Sequence, residues 1–246
     1  MREVEVKFLG SGDAFGSGAR LQSCVLVTYD KGRFLIDCGA STMIGMNRYG
    51  VDPNSINMIF ISHLHGDHCG GIPFLLIASQ ILHKRSEPLL IAGPPGMKEW
   101  ISQAMEIFFP GSSKVNRRFP IEVIEFRGRN SKTAGSVTVT PYPSLHHGDS
   151  SFSLRIECEG KVIAFSSDTE WTDALCETAS GADLFIAEAY FYEKKIKGHM
   201  DYKTLAENYP RTSAKRLMLV HMSADMLAMS KKIECDCAED GLTVHI

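Results

Sequence analysis

Several common signatures are missing from this 246-residue chain, and each absence removes a class of protein. There is no CxxC pair, and the seven cysteines are too few and too irregularly spaced for a disulfide framework. Cys235-Asp236-Cys237 is the nearest approach to a metal knuckle, and its spacing suits none. Reduced thiols in a cytoplasmic protein are the expected state. No apolar run approaches the length of a membrane span, and the opening MREVEVKFLGSG enters a strand-like pattern with no apolar targeting region. Basic residues have no surplus: 26 Lys and Arg stand against 29 Asp and Glu, a formal charge of −3. Without a basic run there is no strong nucleic-acid signature. Repeats, low-complexity stretches and linkers are lacking too.

What remains is the composition of an ordinary globule, 44% hydrophobic and 22% charged, on a chain of single-domain length. Periodicity predicts strands over 4–9, 24–29, 33–37, 56–62 and 89–92. Asp30-Lys31-Gly32 turns the second into the third. Helices are expected over 73–84, opened by Pro73, and over 96–109. A β-rich block follows (121–126, 137–142, 152–157, 161–166), then strands at 183–188, 217–221 and 242–246. Helical stretches are expected at 204–209, 213–215 and 224–232. Two blocks of strands with helices between and after them imply an α/β fold, a four-layer αββα sandwich forming one domain over 1–246.

The chemistry is concentrated in His63-Leu64-His65-Gly66-Asp67-His68, directly after a buried strand. Three imidazoles and a carboxylate within six residues make a dense donor set, and Gly66, Gly70 and Gly71 let the backbone wrap tightly around an ion. One cluster does not close a two-metal site. Further donors should stand at other strand ends, and three do: His147, Asp168 and His221. His146 and His147 are adjacent and point to opposite sides of an extended chain, so only one of them can ligate. Nitrogen and oxygen donors suit Zn2+ first, with Mn2+ or Fe as alternatives.

These segments resemble the metallo-β-lactamase superfamily over nearly the whole chain. The matching stretches are LIDCG (Leu35–Gly39), ISHLHGDHCGGIPFLL (Ile61–Leu76), SSDT (Ser166–Thr169) and LVHMS (Leu219–Ser223). The resemblance implies a metallo-β-lactamase-type sandwich holding two divalent metal ions. His63, His65 and His147 would bind one ion and Asp67, His68 and His221 the other, with Asp168 bridging. His147 is preferred over His146 because the corresponding histidine stands five residues before the residue opening the next strand, here Phe152. Asp37 resembles the aspartate that supports the ligands, and Glu188 would accept from a ligand imidazole. Arg20 stands where related enzymes carry an arginine near substrate. Two such ions, about 3.5–4 Å apart, would hold a bridging water and lower its pKa toward about 7, giving metal-assisted hydrolysis. Relatives with true β-lactamase activity carry cysteine at the position of Asp168, which argues against that activity.

His199, in Lys197-Gly198-His199-Met200-Asp201, resembles the histidine of the ribonuclease Z and small cyclic phosphodiesterase branch, which protonates the leaving oxygen. Asp67 and His199 are therefore the candidate catalytic residues. Two departures stand out. Asp201 replaces a frequent threonine, and Ala187-Glu188-Ala189 lacks a preceding histidine. Only 21 positions separate His147 from Asp168, filled by one hairpin, which leaves no room for the tRNA-gripping arm of ribonuclease Z. A small anionic phosphodiester, such as a cyclic nucleotide or cyclic sugar phosphate, is the favoured substrate. Alternatives are a carbonyl ester, thioester or lactone, an RNA cleaved endonucleolytically, and a metal-binding relative without catalysis. Exposed edge strands and the missing arm are compatible with a homodimer.

Overall fold

Runs such as Cys24–Val27 and Leu184–Ala187 are apolar at every position, so each strand must be covered on both faces. The computed structural model, which describes residues 3–146 and 150–246, meets that demand with two sheets and two outer helical layers. In chain order the strands are β1 (Glu5–Gly10), β2 (Cys24–Tyr29), β3 (Gly32–Ile36), β4 (Met58–Phe60), β5 (Leu89–Gly93), β6 (Ile121–Glu125) and β7 (Lys132–Ala134). They continue with β8 (Val137–Pro143), β9 (Phe152–Cys158), β10 (Lys161–Phe165), β11 (Leu184–Glu188), β12 (Leu217–Val220), β13 (Asp236–Cys237) and β14 (Thr243–His245). The helices are α1 (Thr42–Arg48), α2 (Gly66–Cys69), α3 (Ile72–Ile81), α4 (Met97–Phe108), α5 (Asp173–Thr178), α6 (Tyr202–Asn208) and α7 (Ala224–Met229).

One sheet has the order β14-β1-β2-β3-β4-β5-β6, the other β13-β12-β11-β10-β9-β8-β7. Each is antiparallel at one end and parallel at the other: β3 to β6 run parallel, as do β10 to β13. Side-chain alternation sorts the core into layers. Val6, Phe8, Val27, Phe34, Ile36 and Phe60 face Val139, Ile156, Ile163, Phe165 and Ile186 between the sheets. The intervening Leu26, Leu35, Ile59 and Ile91 turn outward beneath α1, α3 and α4, while Ala164, Phe185 and Leu219 turn outward beneath α5 to α7. The sandwich is the metallo-β-lactamase αββα arrangement.

Local departures from the expected elements have local causes. The strand expected from Ile56 begins at Met58, because Asp52 accepts from the Asn54 amide at 2.9 Å and winds Pro53–Ser55 into a 3-10 turn. Residues 213–215 are not helical; Ser213 takes a left-handed φ of 55° that ends the preceding 3-10 turn. Helix α1 carries little sequence signal, since Gly45 and Asn47 weaken its propensity. Gly45 is needed there, because a Cβ would stand 2.8 Å from the Leu9 carbonyl oxygen. Met222 and Met226 are buried in the core.

Arg85 is 1% exposed and stitches three loops together. Its guanidinium donates to the carbonyls of Ile56 (2.8 Å), Glu87 (2.7 Å), Pro88 (2.7 Å) and Pro53 (3.3 Å), and lies over the Phe119 ring. Replacing it leaves buried carbonyls without donors. Arg85→Leu should therefore lower stability by about 3 kcal/mol in urea unfolding, with metal binding unchanged.

Candidate metal centre

The parallel halves of the two sheets end on the same rim as β8, which runs in the direction of β10, and functional side chains sit where these strands stop. Asp37 follows β3, Ser62 to His68 follow β4, His146 follows β8, Asp168 follows β10, Glu188 ends β11 and His221 follows β12. The run expected as a loop winds at its end into the four-residue helix α2. The amides of His68 and Cys69 both donate to the His65 carbonyl at 3.0 Å, so one turn delivers Asp67 and His68 together.

Ligand atoms of His63, His65 and His146 lie within 4.8 Å of one another, as do those of Asp67, His68, Asp168 and His221. A third group, Asp168, Glu188, His199 and His221, overlaps the second. Asp168 ties the first two together: its carboxylate is 3.3 Å from His68 Nε2, 3.5 Å from His221 Nε2 and 3.8 Å from His146 Nε2. His147 lies outside the described residues. The structure places His146 with His63 and His65, its Nε2 being 3.1 Å from His65 Nδ1.

The surroundings aim each imidazole. His68 Nδ1 donates to Asp37 at 2.6 Å, which leaves Nε2 facing Asp67 and Asp168. Asp37 is held in turn by the Ser62 amide (2.8 Å) and hydroxyl (3.0 Å). His146 Nδ1 donates to the Gly198 carbonyl at 2.7 Å, leaving Nε2 for the cluster. Gly198 has φ +82° and a Cβ there would stand 3.1 Å from the His146 ring, so any other residue would be strained and crowded. Ser62 and Ser167 hydroxyls approach His63 Nδ1 at 3.1 and 3.3 Å. His63 Nε2 and His68 Nε2 are buried and meet no hydrogen-bond partner among the described residues. Buried nitrogens left in this state fit a divalent ion, and the all-imidazole-and-carboxylate set suits Zn2+ or a neighbouring transition metal.

Charge follows the same geometry. Burial and then the neighbouring His68 push His63 well below the usual imidazole range. For His68 burial also opposes the charge, but Asp168 and Asp37 outweigh it and hold the ring well above that range. His221 rises to about 10 because Asp168, Asp67 and Glu188 overcome its burial. Asp67 and Asp168 stay ionised despite burial, through His221 and His68.

Beside the clusters, His199 Nδ1 makes a short hydrogen bond to Glu188, which raises the imidazole against its burial. Glu188 also takes the amides of Thr169 (3.1 Å) and Met200 (3.3 Å). Asp201, at the departure from the family's threonine, caps α6 through the Thr204 amide at 2.9 Å. Tyr190, overlooked in sequence, stacks on His199 with ring centroids 4.8 Å apart. Phe15 is 84% exposed at the mouth of the same cleft. Neither lies in a motif that spacing could reveal. Arg20 does not line this cleft; its guanidinium contacts the Ala238 carbonyl, the Ser11 hydroxyl and Glu239. Cys69 is buried and donates to the His65 carbonyl, a packing role.

A family described as anti-Pycsar protein Apyc1 matches residues 4–239. The chain belongs to this family. This Apyc1-family chain is 26% identical to the ribonuclease Z of Ignicoccus hospitalis over an alignment 287 positions long, gaps included, covering 95% of this chain and 93% of the relative. Among solved structures it resembles human tRNase Z, short form, with a TM-score of 0.80 and 27% identity over 98% of both chains. It also resembles the metallo-β-lactamase fold protein YhfI of Bacillus subtilis, with a TM-score of 0.81 and 21% identity over 100% of both chains.

His63→Ala and His221→Ala each remove a donor from a different cluster. Each should reduce tightly bound metal from two ions per chain to about one after dialysis, read by elemental analysis. Two ions retained in both variants would refute the two-cluster arrangement.

Proposed function

We propose that this Apyc1-family chain is a two-metal phosphodiesterase acting on a small, cyclic phosphodiester, with one domain over 1–246 carrying the whole site. The observation that carries the reading is the shared cleft: both donor clusters, Asp168 between them and the Glu188-bound His199 open into one pocket. In this reading His63, His65 and His146 hold one ion, Asp67, His68 and His221 the other, and Asp168 both. His146 takes the position that sequence spacing assigned to His147.

When bound, the two ions supply Lewis acidity toward the phosphoryl oxygen and a lowered pKa for the attacking water. The ionised Asp67 orients that water by accepting its hydrogen bond. His199, kept protonated by Glu188, turns Nε2 to the leaving oxygen and donates its proton. Tyr190 stacks against the His199 ring and limits its rotation. The exposed ring of Phe15 gives the mouth an aromatic face, which suits the planar base of a cyclic nucleotide better than a cyclic sugar phosphate.

The ribonuclease reading has the relatives' names in its favour. Against it, β9 and β10 form a plain hairpin between His146 and Asp168, leaving no long insertion to grip a folded RNA. A carbonyl ester or lactone also releases an alkoxide, so a direct comparison of carbonyl and phosphodiester substrates separates the two chemistries. Among the described residues no helix is long and apolar enough to cross a membrane. The free cysteines fit a cytoplasmic location. The apolar surface where Phe74 packs on Phe108 and Phe109, beside exposed Ile81, Leu82, Ile107 and Val115, supports a homodimer.

Zn2+- or Mn2+-loaded protein should hydrolyse bis-p-nitrophenyl phosphate and lose that activity with a chelator. His199→Ala should lower kcat on a cyclic nucleotide, whose leaving alkoxide needs a proton, by about 100-fold or more, with a far smaller effect on bis-p-nitrophenyl phosphate, whose nitrophenolate leaves without one. Turnover unaffected by metal removal would sink the proposal. Phe108→Asp should convert a dimer to a monomer in analytical ultracentrifugation.

A further inference from the structure

The reading of His221 as a metal ligand leaves open what holds its backbone. His221 adopts φ +55°, a left-handed conformation that costs a non-glycine residue about 1 kcal/mol or more. Its amide donates to the Ser11 carbonyl at 3.0 Å. In the same peptide unit the Gly12 amide donates to the Leu21 carbonyl at 2.7 Å, so the two stems of the loop between β1 and β2 close on each other there.

Both stems end on one side chain. Asp240, 229 positions from Ser11, accepts from the Ser11 amide (3.0 Å) and hydroxyl (2.9 Å) through Oδ1. Its Oδ2 accepts from the Leu21 amide at 2.7 Å. The carboxylate is only 11% exposed and Ser11 is 1% exposed. Three charge-assisted bonds at this burial resist rearrangement. The turn bearing Asp240 is itself fixed, since the Gly241 amide donates to the Phe8 carbonyl at 2.7 Å. Arg20 reinforces the joint through the Ser11 hydroxyl and the Ala238 carbonyl.

We propose that Asp240 is a positioning residue for the second metal cluster: by clamping Ser11 and Leu21 it fixes the carbonyl that holds His221 in its left-handed conformation. The inference rests on His221 being a ligand. Loosening the clamp lets the His221 backbone relax and swings its imidazole away from Asp67 and Asp168. The other cluster, built on His63, His65 and His146, has no bond to this loop among the hydrogen bonds described.

The test is Zn2+ titration of the full chain against a chromogenic chelator, for Asp240→Asn and Asp240→Glu. Asparagine turns one of the two acceptors into a donor that faces an amide, whereas glutamate keeps the charge. Asp240→Asn should weaken one of the two Zn2+ affinities about 10- to 100-fold and leave the other unchanged, the size of effect seen for groups that orient ligands. Asp240→Glu should recover part of the loss, and it carries the test if the asparagine variant does not fold. A fall in melting temperature of the metal-free protein with both affinities intact would reduce Asp240 to a structural role and overturn the proposal. So would equal weakening of both ions. His221→Ala is the control: if it keeps both ions, the ligand reading fails rather than the clamp.

Discussion

The hydrogen bond from His68 to Asp37 is the interaction on which most of the site depends. Both groups are buried, at 1% and 0% side-chain exposure, and separated by 2.6 Å. An isolated carboxylate at that depth would carry a heavy desolvation cost, so Asp37 must be satisfied on every side. It is: the Ser62 amide and the hydroxyls of Ser62 and Ser23 all donate to it, and the strand ends of β3 and β4 are thereby locked in register. Once His68 Nδ1 is committed there, its Nε2 can only face the cleft. The orientation of the second cluster follows from a bond made outside it.

The same logic recurs at each donor, with a different anchor. His146 is committed to a backbone carbonyl, His199 to Glu188, and His221 is held through its own amide. A set of imidazoles at ring separations of 4.1 to 4.9 Å would otherwise rotate freely and repel when protonated. Where a partner stands behind the ring, as at His68, His146 and His199, it fixes the tautomer and the direction together.

How much of this is legible in sequence depends on distance along the chain. The His63–His68 run is local: one turn of α2 delivers Asp67 and His68, and His63 and His65 stand just before it. The four-layer architecture is legible because doubly apolar strands such as β2 and β11 demand cover on both faces. The place of His146 is not, because its partner, the Gly198 carbonyl, comes from 52 positions away. The partners of Arg20 escape a local reading in the same way, since Ala238 and Glu239 arrive from the far end of the chain. Tyr190 and Phe15 carry no spacing signal at all; only the folded cleft makes them neighbours of the donors.

Backbone strain gives a last view of how the fold serves the site. Asp37, Ser167 and His221 are non-glycine residues with φ of 60°, 58° and 55°, and each follows closely on the end of a strand. Left-handed residues reverse the chain sharply, so the side chains at these ends point across the rim instead of continuing the sheet's alternation. Glycine would adopt these angles at less cost, but it offers neither a donor nor a hydrogen-bonding hydroxyl. At about 1–3 kcal/mol per residue, such strain persists only where surrounding bonds over-determine it. Here they do: the Asp37 amide donates to Phe60, the His221 amide to Ser11, and Ser167 sits between the Ser166 hydroxyl and His63. Hydrophobic burial between the sheets supplies the stability that tolerates three such residues on one rim.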